Sequence, residues 1–394
     1  MYDQLPNLLV ISAQVPETAY SGSIVLYRLL ESYPSDKLAV IGSPVQKNSK
    51  VLNCKYEKLK LPFQRLSTRT RFSRLIRSLR SLQIFPEFTI SSITKMAKDF
   101  KPDVILSLME TQAYYHLAYR YAKFHQLPLV LIVHDIPETF EKVYEWAKEQ
   151  QIKRNKEAYS YASKKLCVSP QMEAYLKEIY GSSGDVLYPH RSKNIKPRSP
   201  VDNKTLKQND CLTIGYAGSL AYGYGEQLKK MIPVFKKTNA KLRIYSRSLN
   251  PLDSSDVVSY CGYTVTPEET WEKVQTECDA VILPYLWTNN QDLELLYRTH
   301  FPSKLSEYLA LGMPILIFGP EYATGMQWGL QNIQSVLTIT ENNPDTWTEV
   351  LFKLRESPSL RTNLSHQAIM VGNSDFSTDI IQEQFINHIQ DCFE

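Results

Sequence analysis

LTIGYAGSLAYGYGEQLKKMIPVFKKTNAKLRIY, residues 212–245, decides the fold. Leu212–Ala217 and Lys241–Tyr245 are short apolar runs of strand length, and Glu226–Lys237 between them has amphipathic, helical spacing. Strand, Gly-rich loop, helix and strand in that order make one parallel step with a helical crossover. The same alternation continues downstream: strand Val257–Cys261, helix Pro267–Cys278, strand Ala280–Leu283, helix Pro302–Leu311 and strand Pro314–Phe318. Upstream, strands are expected at Leu8–Ala13, Lys37–Ile41, Val104–Leu108, Leu129–His134 and Lys165–Val168, with helical stretches between them. The stretch from Ser192 to Asp210 breaks the rhythm. It carries Pro197, Pro200, Asn, Lys and Arg, and hardly an apolar residue, so it reads as a linker.

The chain of 394 residues is longer than one hydrophobic core usually organises. The expected architecture is therefore α/β with two parallel sheets: an N-terminal domain over 1–191, the linker 192–210, a C-terminal domain over 211–375, and a terminal segment 376–394. That last segment carries an amphipathic helix, Ile380–Phe393, placed to pack back on the N-terminal domain. Ligands of open α/β sheets bind beyond the carboxyl ends of the strands, so two such sheets facing each other would hold a site in the cleft between them.

Hydrophobic residues make up 43% and charged residues 22%, the proportions of an ordinary globular protein. The 45 basic and 41 acidic residues nearly cancel, which gives no general reason to expect nucleic acid as a partner. The six cysteines are scattered, with no Cys-x-x-Cys pair and no histidine at metal-ligand spacing. Reduced thiols, no metal and a cytoplasmic location are the expectation. No signal peptide is read at the N-terminus, and the longest apolar run, Leu127–Val133, is far short of the roughly 20 residues that span a bilayer.

Three segments carry chemistry. In Phe301–Pro314, Pro302 suits a helix start and Gly312 a left-handed helix stop, which puts Ser303 and Lys304 in the first helical turn. Free N–H groups, the positive end of the dipole and the Lys304 charge there favour an anion such as a diphosphate. Glu307, one turn on, could accept hydrogen bonds from two ribose hydroxyls; equally, Lys304 and Glu307 read as a solvated i,i+3 pair. In the second segment, Gly218 and Ser219 lie in the loop 218–225, where glycines admit close backbone approach to a phosphate or simply make a turn. The third, Leu129–Asp135, ends an apolar strand in His134-Asp135, which could meet a sugar hydroxyl or reacting group, or form a turn. Ser21-Gly22-Ser23 joins the first strand to a helix read as Ile24–Tyr33, as a phosphate-friendly turn or an N-cap.

In that order the segments resemble the retaining GT-B glycosyltransferases of family 4, enzymes built from two Rossmann-like domains, over nearly the whole chain. Pro302-Ser303-Lys304…Glu307-Tyr308-Leu309-Ala310…Gly312…Pro314 resembles the family's donor-binding helix. Cys278–Pro284 resembles the preceding strand, Gly262-Tyr263 with Pro267-Glu268-Glu269 the loop at the nucleotide base, and Leu166–Pro170 the entry to the last N-terminal helix. The resemblance implies a UDP- or GDP-linked sugar as donor substrate, no cofactor and no metal. Gly218 and Ser219 would lie under the diphosphate, Ser303 and Lys304 would bind it, and Glu307 would hold the ribose. His134 would face the transferred sugar, beside Asp135, and Gly22 would lie in the loop closing over the donor; Tyr263 falls in the base loop. Two departures stand out. The first of the family's paired glutamates falls at Thr299, and the loop 221–225 lacks the usual Arg and Lys. Lys304, with Arg247 or Arg298, would then neutralise the phosphates.

The acceptor implied is a carbohydrate or lipid-linked molecule, in the usual setting of bacterial polysaccharide or glycolipid assembly. A helix over Thr70–Ile84 would place Phe72, Leu75, Ile76 and Leu79 on one face and Arg71, Arg74, Arg77 and Arg80 on the other. Such a helix would rest on anionic lipid as a peripheral membrane contact, or bury its apolar face in the core with its arginines in water. Two other functions stay open: a catalytically inactive binding partner, suggested by the two departures, and a nucleotide-sugar epimerase, which would want clustered acid–base carboxylates.

Overall fold

The computed structural model describes residues 5–18, 21–46, 49–59, 72–82, 90–200, 210–264 and 266–393. The chain divides into two compact units, Met1–Tyr188 with Ile381–Glu394, and Pro189–Ile380.

The N-terminal unit is built on a parallel sheet of β1 (Leu8–Ser12), β2 (Leu38–Gly42), β3 (Lys55–Lys58), β4 (Val104–Leu108), β5 (Leu129–Val133), β6 (Lys164–Cys167) and β7 (Asp185–Val186). Their spatial order is β3-β2-β1-β4-β5-β6-β7. Strands β1, β2, β4 and β5 are buried at every position, as sheets covered by helices on both faces require. The C-terminal unit repeats the plan with β8 (Leu212–Ala217), β9 (Ala240–Tyr245), β10 (Val258–Tyr260), β11 (Ala280–Pro284), β12 (Ile315–Phe318) and β13 (Leu337–Ile339), ordered β10-β9-β8-β11-β12-β13. Both orders are Rossmann-like. In each the chain reverses direction across the sheet at one point, between β1 and β4 and between β8 and β11, and that switch point is where such sheets open a crevice.

Helix starts follow local capping chemistry. The Ser169 hydroxyl accepts the Met172 N–H ahead of Pro170–Tyr180, which Gly181 ends at φ +72°. Thr266 caps Pro267–Glu277 by accepting from Glu269 N–H, and Ser357 caps Pro358–Ser374 by accepting from Leu360 N–H. In each case the cap satisfies an N–H that the helix cannot, and proline follows where its missing N–H costs nothing.

The last helix, Thr378–Gln390, packs on the N-terminal unit. Ile381, Phe385, Ile386 and Ile389 enter the same core as Leu26, Leu29, Leu30 and Tyr33. Gln382 Nε2 donates to the Arg28 carbonyl, Ser32 Oγ donates to Gln382 Oε1 at 3.2 Å, and Lys164 pairs with Asp391 at 2.9 Å.

Of the stretch 192–210, residues 192–200 and Asp210 are described, and the first part is packed within the C-terminal unit. Ser192 and Ile195 are buried, and the Arg198 guanidinium donates to the carbonyls of Gln275 and Cys278 at 3.1 and 2.9 Å, at the end of helix Pro267–Glu277. A cation there meets the negative end of the helix dipole.

The basic helix spans Ser73–Ser81; the ends anticipated at 70–71 and 83–84 lie outside the described residues. Its burial follows the sequence reading only in part: Ile76 is buried, Leu79 half-buried and Arg74 exposed, but two arginines lie inward and two apolar residues outward. Arg80 is 9% exposed and Arg77 half-buried, while Phe72, Leu75 and Leu82 are exposed. Arg77 and Arg80 turn inward because a buried carboxylate waits there. Burial pushes the Glu141 carboxyl up, and the Gln112 N–H at 2.6 Å, Arg77, Arg80 and Arg154 oppose that shift. Arg74 donates to the Val143 carbonyl at 3.0 Å and lies over the Tyr144 ring.

Among the described residues no helix is long and apolar enough to cross a membrane, and all six cysteines are free.

Candidate functional site

In the C-terminal unit the switch point between β8 and β11 is occupied by Lys304. Its helix is Ser303–Ala310, one residue shorter at the start than the sequence reading, with Pro302 as the residue before the first turn. The Lys304 ammonium lies 4.4 Å from the Tyr224 ring centroid and 5.5 Å from that of Tyr216. No carboxylate pairs with it among the described residues. Burial alone pushes its pKa down to about 8. An aromatic wall attracts a cation through the ring quadrupole but leaves its charge uncompensated, so the position is electrostatically prepared for an anion.

Gly218, directly after β8, is what lets Lys304 lie there. Its φ is +126°, and a Cβ built on it would stand 2.4 Å from Lys304 Cε. The neighbouring Ser219 is exposed, its carbonyl accepts the Tyr216 hydroxyl, and its Oγ accepts the Ala221 N–H at 3.2 Å. Tyr216, Tyr224, Tyr285 and Tyr297 form one ring cluster, with centroids 4.9 Å apart for Tyr285–Tyr297 and 5.8 Å for Tyr224–Tyr285. Gly223, at φ +80°, has room for no Cβ because the Tyr297 hydroxyl would lie 2.6 Å from it. These tyrosines were not identified from sequence: they come from a strand, a loop and two helices whose only common property is spatial.

Glu307 does not form a solvated pair with Lys304. It is 6% exposed and its Oε2 accepts the Ser192 N–H at 3.2 Å, while the Ser192 hydroxyl donates to Glu268 Oε1 at 3.0 Å. Ser303 is half-buried in the first turn of the same helix. Arg247 and Tyr263 come together, the guanidinium 5.3 Å from the ring centroid, both exposed. Arg298 is not at the Lys304 position: it pairs with Glu294 at 2.6 Å and lies over the Tyr322 ring. Thr299 is buried, and its hydroxyl donates to the Leu295 carbonyl one turn back.

In the N-terminal unit His134 and Asp135 follow β5, both half-buried, and burial pushes the Asp135 carboxyl up to about 7. Gly22 is not in a loop. The helix runs Ser21–Leu30, so Gly22 lies in its first turn, and a Cβ there would stand 2.0 Å from Gln14 Oε1. Gln14 Nε2 donates in turn to Glu110 Oε1 at 2.6 Å, and burial together with the Asp135 charge pushes the Glu110 carboxyl up to about 7. Sequence reading missed Gln14 and Glu110, which stand apart in the chain and carry no motif. No group of three or more His, Cys, Asp or Glu that could hold a metal is found among the described residues.

Comparison with known proteins fixes the architecture. No family model and no curated protein matches the chain. Solved structures do. Anabaena HepE, crystallised with UDP and glucose, is 14% identical with a TM-score of 0.67, over 98% of this chain and 100% of that one. Sucrose-phosphate synthase from Thermosynechococcus elongatus is 13% identical with a TM-score of 0.72, over 99% of each chain. The catalytic domain of starch synthase IV from Arabidopsis thaliana, bound to ADP and acarbose, is 9% identical with a TM-score of 0.64, over 99% of this chain and 100% of that one. The chain has the GT-B fold.

Within that fold the tight contact at Gly218 yields a direct expectation. Gly218→Ala places a Cβ against Lys304 Cε on a backbone conformation that L-residues avoid, a strain of roughly 1–3 kcal/mol. The unfolding free energy of the C-terminal unit should fall by that amount, read as a lower urea midpoint with an unchanged slope; an unaltered midpoint would show that Lys304 and the backbone move aside freely.

Proposed function

We propose that this chain is a glycosyltransferase of the GT-B type, resembling retaining family 4, which moves a sugar from a UDP- or GDP-linked donor to a carbohydrate or lipid-linked acceptor without a metal. The observation that carries the reading is Lys304: an ammonium with no carboxylate partner among the described residues, against Tyr216 and Tyr224, in the first turn of a helix and beside a glycine turn. In this reading the donor's diphosphate lies where Lys304, Ser303 and the N-terminus of helix Ser303–Ala310 converge, with Gly218 and Ser219 beneath it. Charge grows on the leaving diphosphate as the glycosidic bond breaks, and a fixed cation and helix dipole aimed at it stabilise that state more than the ground state. Glu307, held by the Ser192 N–H, takes the ribose, and Arg247 with Tyr263 flanks the base. His134 and Asp135 serve the transferred sugar. The work of the protein is then positioning and charge stabilisation.

Two observations favour second readings. Thr299, buried and bonded to its own helix, stands where the family has a glutamate, which suits a nucleotide-binding partner without catalysis. Glu110 and Asp135 are neighbouring carboxylates with raised pKa values, which suits an epimerase. One assay separates all three: nucleotide release from UDP- and GDP-sugars, followed with and without a glycoside acceptor. A transferase releases nucleotide in step with glycosylated product, an epimerase releases it with none, and a binding partner releases nothing.

The Lys304 pKa of about 8 sets a pH dependence. The group is protonated below that value and neutral above it, so nucleotide affinity should decline as pH rises through 8 to 9. Binding of the diphosphate favours the charged form, so the decline begins at the free protein's value of about 8 and ends at the higher value of the complex. Affinity titrated across this range by calorimetry checks it; affinity that is still level at pH 10 would take the diphosphate away from Lys304.

A further inference from the structure

The loop of His134 and Asp135 leaves β5 and runs into a helix of a single turn, Pro137–Phe140. One turn does not hold itself, because fixing its backbone costs more than its few hydrogen bonds return, and no side chain caps its start. Two glutamates set its place instead. Glu138, within the turn, accepts Asn155 Nδ2 at 2.8 Å and the Tyr180 hydroxyl at 2.6 Å on Oε1. Glu141, directly after it, accepts the Gln112 N–H at 2.6 Å on Oε2, and its carbonyl accepts Gln151 Nε2 at 2.7 Å.

These anchors close on one another. Asn155 Oδ1 accepts Gln112 Nε2 at 2.8 Å and also the Tyr115 hydroxyl. Gln112, Asn155, Glu138 and Glu141 therefore form a closed hydrogen-bonded circuit, completed by the backbone between the two glutamates. Gln112, Tyr115, Asn155 and Tyr180 are all buried. The circuit joins two loops: Gln112 opens the helix that follows Glu110 and Thr111 after β4, and Glu138 comes shortly after Asp135. Apolar packing could hold these elements with no loss of stability. What a closed and fully paired polar circuit adds is one fixed geometry.

We infer that Asn155 is a positioning residue for sugar transfer: buried on the helix Glu145–Tyr161, it closes this circuit and so fixes the His134–Asp135 loop against the loop of Glu110 and Thr111. That the loop serves a transfer step rests on the transferase reading above; the anchoring of the loop rests on the hydrogen bonds alone.

The test replaces the Asn155 amide in the full chain by a carboxylate of the same shape. Asn155→Asp leaves no cavity but sets a second carboxylate against Glu138. It should lower kcat for glycosyl transfer by roughly ten- to a hundred-fold, the effect of moving a reacting group by about 1 Å, while UDP affinity stays unchanged. Adding Glu138→Gln lets the bond form again with donor and acceptor exchanged, and should restore most of kcat. A merely structural role would shift the melting temperature without this fall and recovery. A folded Asn155→Asp variant with undiminished kcat, or a folded double variant that does not regain it, overturns the inference. Hydrogen exchange supplies a readout that needs no activity. The Thr139 and Glu141 amides, bonded to the Ile136 and Pro137 carbonyls at 3.0 and 2.8 Å, should exchange roughly a hundredfold or more slowly than an unstructured loop, and Asn155→Asp should remove that protection. Loop-like exchange in the unmodified protein overturns the inference even where Asn155→Asp does not fold. Protection that Asn155→Asp removes, in a chain that transfers no sugar, would keep the anchored loop and overturn the transferase reading instead.

Discussion

Lys304→Ala is expected to weaken UDP or GDP binding by about ten- to a hundred-fold, the worth of a charged hydrogen bond of about 1.5–3 kcal/mol. The size follows from what Lys304 lacks. A surface lysine paired with a carboxylate could be removed at little cost, because such pairs contribute little in water. Lys304 is instead held against Tyr216 and Tyr224 with its pKa pushed down by burial, so its charge is a liability in the empty protein and an asset when a diphosphate is present. The same substitution should therefore leave the melting temperature of the ligand-free protein unchanged or raise it. A variant that loses stability and nucleotide affinity together would point to a packing role for the lysine stem, and one that keeps full affinity would remove Lys304 from the site.

Phe385→Ala should destabilise the N-terminal unit by roughly 3–5 kcal/mol, the usual cost of truncating a buried phenylalanine. Phe385 is fully buried among residues of the opposite end of the chain, with Leu26, Leu30 and Tyr33 in the same core. For a unit of this size, that loss corresponds to a fall in melting temperature of roughly 6–20 °C. Calorimetry of the whole chain would show it in the transition that UDP does not shift. A change confined to the UDP-shifted transition would mean that the terminal helix supports the other unit.

The sequence shows the centre of each sheet plainly and the edges poorly, for one reason. Strands β1, β5, β11 and β12 are buried at every position and read as apolar runs, and β4 and β8 are broken only by Ser107 and by Thr213 and Gly215. At the edge, β3 is Lys-Tyr-Glu-Lys, β7 is two residues long and β13 is Leu-Thr-Ile, and none has a run to detect. The helix Pro358–Ser374 has no pronounced apolar face, although Ser357-Pro358 marks its start. The helix Ser73–Ser81 has a strong pattern, but the pattern did not show that Arg77 and Arg80 lie inward; Glu141, sixty or so residues later in the chain, draws them there. At the candidate site, Gly218, Ser303, Lys304 and Glu307 were visible because capping residues and a glycine turn mark them locally. The tyrosines around Lys304 and the Gln14–Glu110 pair were not, since they meet only once the sheets have formed.

The central claim is that the Lys304 position receives a nucleoside diphosphate, and calorimetric titration of the unmodified protein with UDP and with GDP, in the absence of metal, tests it most directly. The account predicts saturable one-to-one binding of at least one of them. If the folded protein binds neither, Lys304 is not a diphosphate site, and the departures at Thr299 and in the loop Ala221–Gly225 have removed donor recognition.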